Sequence, residues 1–244
     1  MTNEKTVDFP SVVRQEAVTV GVTKQKHGRE IEIFAGILNT FTAGFNLMGS
    51  FEIKEDNEAE YVWLLLSTRC LHSMRCSIDL MLKGYYSQAM SLVRTGIEDW
   101  FVCGNAKNQV VRDCLLRSGK RLPSYLTLAE KMGEIGVYRS DYRFQSEFAH
   151  SSRLSLRVLQ NPKTNEMRIG PVYDELLFIS CAESLMRVFL FMGRYLWHVL
   201  FYIDQAKAKL WDKQNSQNII SASNWLKELR GKYRTESSLA TSSE

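Results

Sequence analysis

Apolar residues recur at helical spacing along most of the chain. Between Arg29 and Ser50, Ile33, Ile37, Phe41 and Phe45 repeat every four positions and share one face of a helix. A second helix is predicted from Ala59 to Lys83, with Val62, Trp63, Leu66, Cys70, Met74, Ile78 and Met81 as its apolar stripe. Gly84 suits a C-terminal stop. A third helix follows at once, from Tyr85 to Cys103, carrying Ala89, Leu92, Val93, Gly96, Ile97 and Trp100. So short a link makes these two an antiparallel hairpin. Shorter helices broken near Gly119 and Pro123 are expected over 105–135, then another from Tyr138 to Ser151. Tyr173 to Lys213 reads as one very long helix with apolar residues around most of its circumference, as in Leu176, Phe178, Leu185, Phe189, Leu196 and Leu200. A helix of that kind must be buried on several sides, either at the centre of a bundle or in a dimer interface. A last helix is predicted from Ser221 to Tyr233.

Two stretches depart from this pattern. Residues 1–26 lack the periodicity and contain Pro10 and Gly21, which predicts an extended N-terminal arm. Asn161-Pro162 is a turn signal, and its flanks Val158-Leu159 and Met167–Ile169 are candidates for a small β-hairpin near 155–170. The expectation is an all-α helical bundle with one long central helix. It comprises the arm, a single domain over 27–233 and a disordered polar tail over 234–244.

Composition narrows the class. The 244 residues are close to the limit for one core, and only 4 prolines and 14 glycines interrupt them, which favours long helices. A net charge of +4 without a basic run permits a phosphate-bearing partner but does not demand one. The 5 cysteines show no C-x-x-C spacing and lie mostly in apolar helical patterns, as buried reduced thiols of a cytoplasmic protein would. The N-terminus has early acids and no apolar core, unlike a signal peptide. Glu183, Arg187, Arg194 and His198 interrupt the most apolar stretch, which argues against a membrane span. No Walker loop, G-x-G-x-x-G, H-E-x-x-H or G-x-S-x-G is present, so no cofactor and no metal is expected. His72 and His198 fall within apolar patterns as core or interface residues, whereas His27 precedes a helix and is expected in solvent.

The candidate chemistry lies in Tyr138–Ser152. Arg143 and His150 are seven residues apart and differ by about 20° around a helix, so they share a face. Arg139 and Ser146 bracket that face, Tyr142 and Glu147 flank it, and Phe144 and Phe148 lie off it where they could dock on the core. A fixed guanidinium presents a planar fork to phosphate oxygens, and a histidine titrates near neutral pH. Arg94 and Glu98, one turn apart on the third helix, need a tertiary partner if they face inward. The Tyr142/Ser146/His150 face is the candidate, which would put Arg94 and Glu98 near His150.

The Arg143-x6-His150 spacing resembles the Arg-x(4–6)-His signature of the HEPN superfamily of helical proteins. A wider pattern, with Gly84, Tyr85, Tyr86, Ala89, Leu92, Arg94 and Glu98 followed by Tyr142, Arg143, Ser146, His150 and Ser152, resembles a bacterial helical family of unassigned function. The HEPN resemblance implies a metal-independent ribonuclease of phage defence or growth arrest, acting on RNA as a homodimer. Arg143 would hold the scissile phosphate, His150 would act as general acid or base, and Ser146, Tyr142 and Glu147 would orient them. The same residues also fit a non-catalytic binding or sensor module for a protein partner, with Arg94, Glu98, Tyr142 and His150 as a buried network.

Overall fold

A computed structural model describes residues 8–48, 57–117, 121–149 and 171–240, with side chains through Leu229. The elements are α1 (Phe9–Lys26), α2 (Gly28–Met48), α3 (Glu58–Leu82), α4 (Tyr86–Gly104), α5 (Gln109–Leu116), α6 (Tyr125–Lys131), α7 (Ile135–Val137), a π-helical segment (Tyr138–Tyr142), α8 (Arg143–Ala149), α9 (Glu175–Ile203) and α10 (Gln205–Ala240). The protein is all-α. Among the described residues there is no strand. The expected hairpin near 155–170 lies outside them.

Contacts divide the chain into two compact units where the sequence suggests one domain. The first holds Met1–Gly28 and Glu52–Leu185, the second Arg29–Phe51 and Met186–Glu244.

In the first unit α3 and α4 form the predicted hairpin. Gly84 turns it at φ +86, a left-handed conformation that a side chain resists, and a Cβ there would stand 2.7 Å from the Val172 carbonyl oxygen. Gly96 lets the two helices approach, because its missing Cβ would press on Cys70 and Met74 sulfurs at 3.3 Å. Ser77 Oγ donates to the Ala89 carbonyl at 2.9 Å across the same seam. α4 is packed by α3, α6 and α8, so α4 is the central helix of this unit. Its buried residues accordingly include Tyr86, Val93, Ile97, Phe101 and Cys103 on more than one side.

The expected extended arm is corrected: Phe9–Lys26 is a helix. Asp8 caps it by accepting from the Ser11 amide at 2.9 Å, and Pro10 sits in the first turn, where a missing N–H costs nothing. His27 ends α1, and its amide donates to the Thr23 carbonyl at 2.8 Å. Its ring is buried rather than solvated, stacked on Phe178 at 4.0 Å and bonded through Nε2 to the Tyr173 hydroxyl at 2.9 Å. His72 and His198, expected in the core or an interface, are exposed. Each occupies the outer side of a helix whose opposite side carries the core.

In the second unit the sequence misplaces a boundary. The helix predicted over Tyr173–Lys213 stops at Ile203, and Gln205–Ala240 is one helix where a gap before Ser221 and a tail after Tyr233 are expected. Asp204 makes the break. Its Oδ1 accepts from the Ala206 and Lys207 amides at 3.0 and 3.1 Å, which starts a new helix. The polar run after it stays helical because Trp211, Asn218 and Trp225, two turns apart in succession, all reach α2. Trp211 Nε1 donates to the Thr40 carbonyl at 2.9 Å, Asn218 Nδ2 to the Gly36 carbonyl at 3.1 Å, and Trp225 Nε1 to Glu30 Oε1 at 3.1 Å. Gly44 clears the way at one crossing, since a Cβ would stand 2.6 Å from Leu196.

By length and composition alone, α2 and α9 are each apolar enough to cross a membrane. Only 33% of the relevant window of α2 and 56% of that of α9 is buried.

Candidate functional site

Tyr142 ends the π-helical segment, and its hydroxyl points onto α4. Arg94 and Glu98 are neighbours there, with Arg94 Nε donating to Glu98 Oε1 at 3.0 Å. The Tyr142 hydroxyl accepts from Arg94 Nη2 at 3.2 Å and donates to Glu98 Oε1 at 3.1 Å. The guanidinium carbon also lies 5.2 Å from the centre of the Tyr142 ring, within cation–π range. Arg94 and Glu98 therefore have a tertiary partner, and it is one of the three residues, Tyr142, Ser146 and His150, on the face the sequence offered for it. Their side chains are 20% and 18% exposed, so this closed triangle is only partly shielded from solvent.

Burial opposes the charge on Arg94, but Tyr142 and Glu98 together hold its pKa above the ordinary value. Burial likewise raises the Tyr142 hydroxyl, against the pull of Arg94. The phenol stays protonated at neutral pH and cannot serve as a base there.

A second pair adjoins the triangle. Asp99 is fully buried and accepts from Arg69 Nε on α3 at 3.0 Å through both carboxylate oxygens, with a further bond from Arg69 Nη2. Burial lifts Asp99 above the usual carboxylate range, and Arg69 offsets part of that rise. Tyr125 of α6 packs on the Tyr142 ring with centroids 5.6 Å apart, and Tyr138 stacks on it at 5.0 Å. Burial, with Glu98 next, pushes the Tyr125 hydroxyl up to about 12. Sequence reasoning missed Arg69, Asp99 and Tyr125. A charge inside an apolar stripe, as at Arg69 between Leu66 and Cys70, is the one available signal.

Arg139, Arg143 and Glu147 are exposed. Ser146 is half-buried and donates back to the Tyr142 carbonyl at 2.8 Å, a bond within the helix. His150 lies outside the described residues, so the expected approach of His150 to Arg94 and Glu98 does as well. Phe148 docks as expected, with its carbonyl accepting from Ser87 Oγ at 3.2 Å. Phe144 is instead 40% exposed and meets Phe148 edge-on at 5.3 Å.

Between Tyr142 and Phe148 on the inward face stands Gln145. It is fully buried, and among the described residues neither its Nε2 nor its Oε1 has a hydrogen-bond partner. A buried amide left unpaired costs about 1–3 kcal/mol.

Within the triangle, Arg94 Nε and Nη2 and the Tyr142 hydroxyl are all donated inward, to Glu98 and Tyr142. Among the described residues no group of three or more His, Cys, Asp or Glu side chains is placed to hold a metal ion. No family model, curated protein or solved structure matches this chain.

Proposed function

We propose that this chain is a non-catalytic helical binding module. Arg94, Glu98 and Tyr142 lock α8 onto α4, and the outer side of α8 with Arg139, Arg143, Phe144 and Glu147 meets a protein partner. The observation that carries this reading is the direction of Tyr142. Its hydroxyl is spent on two charged groups of α4, while Arg143, the next residue, is exposed. A catalytic set needs its orienting hydroxyl beside the groups it orients. On this reading Arg143→Ala leaves the melting temperature unchanged and abolishes partner capture.

The exposure of Arg143 favours a second reading, the HEPN-like metal-independent ribonuclease. An exposed guanidinium is available to a phosphate, and a second copy of the chain could bring its own Arg143–His150 run opposite. One assay separates the two. The purified chain is incubated with RNA in EDTA beside Arg143→Ala and His150→Ala. The binding-module reading expects no cleavage by any of the three. Cleavage by the natural chain that either substitution removes would establish the ribonuclease and overturn the lock as the main function.

A further inference from the structure

Tyr142, Gln145 and Phe148 stand three residues apart at and along α8 and are all buried, so they share one side of it. Among the described elements α8 packs chiefly on α4. The three positions hold it there unequally. At the first, the Tyr142 hydroxyl is bonded to Arg94 and Glu98 at 3.2 and 3.1 Å. At the last, the Phe148 side chain is buried and its carbonyl accepts from Ser87 Oγ at 3.2 Å. Between them Gln145 carries into the seam an amide whose Nε2 and Oε1 both lack a partner among the described residues. A polar group buried without hydrogen bonds opposes docking, and lifting it back into water restores its hydration.

From this arrangement we infer that α8 is a releasable latch. Residues 143–149 lift from α4 about the Tyr142 anchor while α3 and α4 stay folded. Three further observations support the pivot and the release. The π-helical turn Tyr138–Tyr142 lies directly before the lifting residues, so the regular helical ladder is already interrupted at that point. α8 has 7 residues, fewer than the roughly 12–15 that a helix needs to be even marginally stable by itself, so undocking and melting of α8 are one event. The α3–α4 seam is made by other residues, with Gly96 against Cys70 and Met74 and Ser77 bonded to the Ala89 carbonyl.

Release dissolves the formed helical surface that carries Arg143 and Glu147. On the partner-binding reading proposed above, and resting on it, the latch therefore sets when a partner can dock. The latch itself is tested without a partner, so its failure leaves that reading untouched.

The test is hydrogen–deuterium exchange of the full-length chain in increasing urea below its unfolding transition. The natural chain is compared with Gln145→Leu, which removes the amide at similar side-chain size, and with Ser87→Ala, which removes the tie to Phe148. In the natural chain the amides of 143–149 should exchange at least about tenfold faster than those of Val93–Cys103 and respond less to urea, the signature of local opening. Gln145→Leu should slow exchange over 143–149 by about tenfold, because docking no longer strands an amide. Ser87→Ala should speed it. Exchange over 143–149 as slow and as urea-dependent as that of α4 would overturn the inference, since α8 would then open only when the unit unfolds. So would unchanged or faster exchange in Gln145→Leu. Should that variant fail to fold, unchanged exchange in Ser87→Ala would overturn it equally.

Discussion

The Tyr142 hydroxyl takes a hydrogen bond from one charged group and gives one to another, so its removal leaves Arg94 and Glu98 still joined. Tyr142→Phe is therefore expected to cost about 1–2 kcal/mol, read as a shift in urea midpoint without a change in slope. A loss near zero would show that water replaces the hydroxyl and that the triangle is not a lock. Asp99 behaves differently because it is fully buried and its partner is not. Its folded pKa is raised, mainly by burial. The folded state then holds the proton more tightly than the unfolded one. The stability this confers is complete below the unfolded value of about 3.9 and is lost as pH climbs through the folded value. Compared with Asp99→Asn in denaturation from pH 3 to 7, the natural chain should lose relative stability as pH rises. The opposite slope would mean that the Arg69 ion pair outweighs burial. Arg69→Ala should steepen the loss and cost about 2 kcal/mol at neutral pH, the low side for an abandoned buried charge because Arg69 itself is largely exposed.

Helix boundaries follow from caps more than from apolar periodicity. The run from Tyr173 to Lys213 reads as continuous because its apolar positions continue past residue 203 with little change of phase. One carboxylate outweighs them, since Asp204 offers two amides a better acceptor than solvent. Asp204→Ala should cost about 1 kcal/mol, measured by thermal or urea denaturation. An unchanged midpoint would show that the junction is held by packing alone. Conversely, the polar run between Lys213 and Ser221, read as a gap between two helices, stays helical, with Asn218 tied to α2 through the Gly36 carbonyl and Thr40 Oγ1. The π-helical turn is a further case. The turn at Tyr138–Tyr142 is widened to a π-helix, which no 3.6-residue wheel contains. Tyr142 faces α4 while Arg143, the next residue, is exposed.

At the scale of the whole molecule, the thiols report how the core is closed. Cys70, Cys103 and Cys181 are buried, Cys114 is half-buried and Cys76 is exposed. Burial also pushes the three core thiols well up, away from the reactive thiolate. A thiol reagent applied to the native chain should label Cys76 quickly, Cys114 more slowly and the other three only after denaturation. Rapid labelling of Cys70 or Cys103 would contradict the packing of α3 on α4.

What the sequence determined by itself was the all-α class, the α3–α4 hairpin with its Gly84 turn, and the placing of Arg94 and Glu98 one turn apart on the same helix. Each depends on spacing within one helix or across one short link, and such local geometry repeats in any helical chain. Only the tertiary structure decided that the chain forms two units, that α4 is packed by α3, α6 and α8 in the first, and that Asp99 is buried against Arg69. It also decided that Gln145 stands unbonded, that His27 is buried, and that Arg143 turns outward. Those outcomes depend on which side of each helix meets another helix. That choice is set by contacts between residues far apart in the chain, such as Arg69 with Asp99 or Thr40 with Trp211.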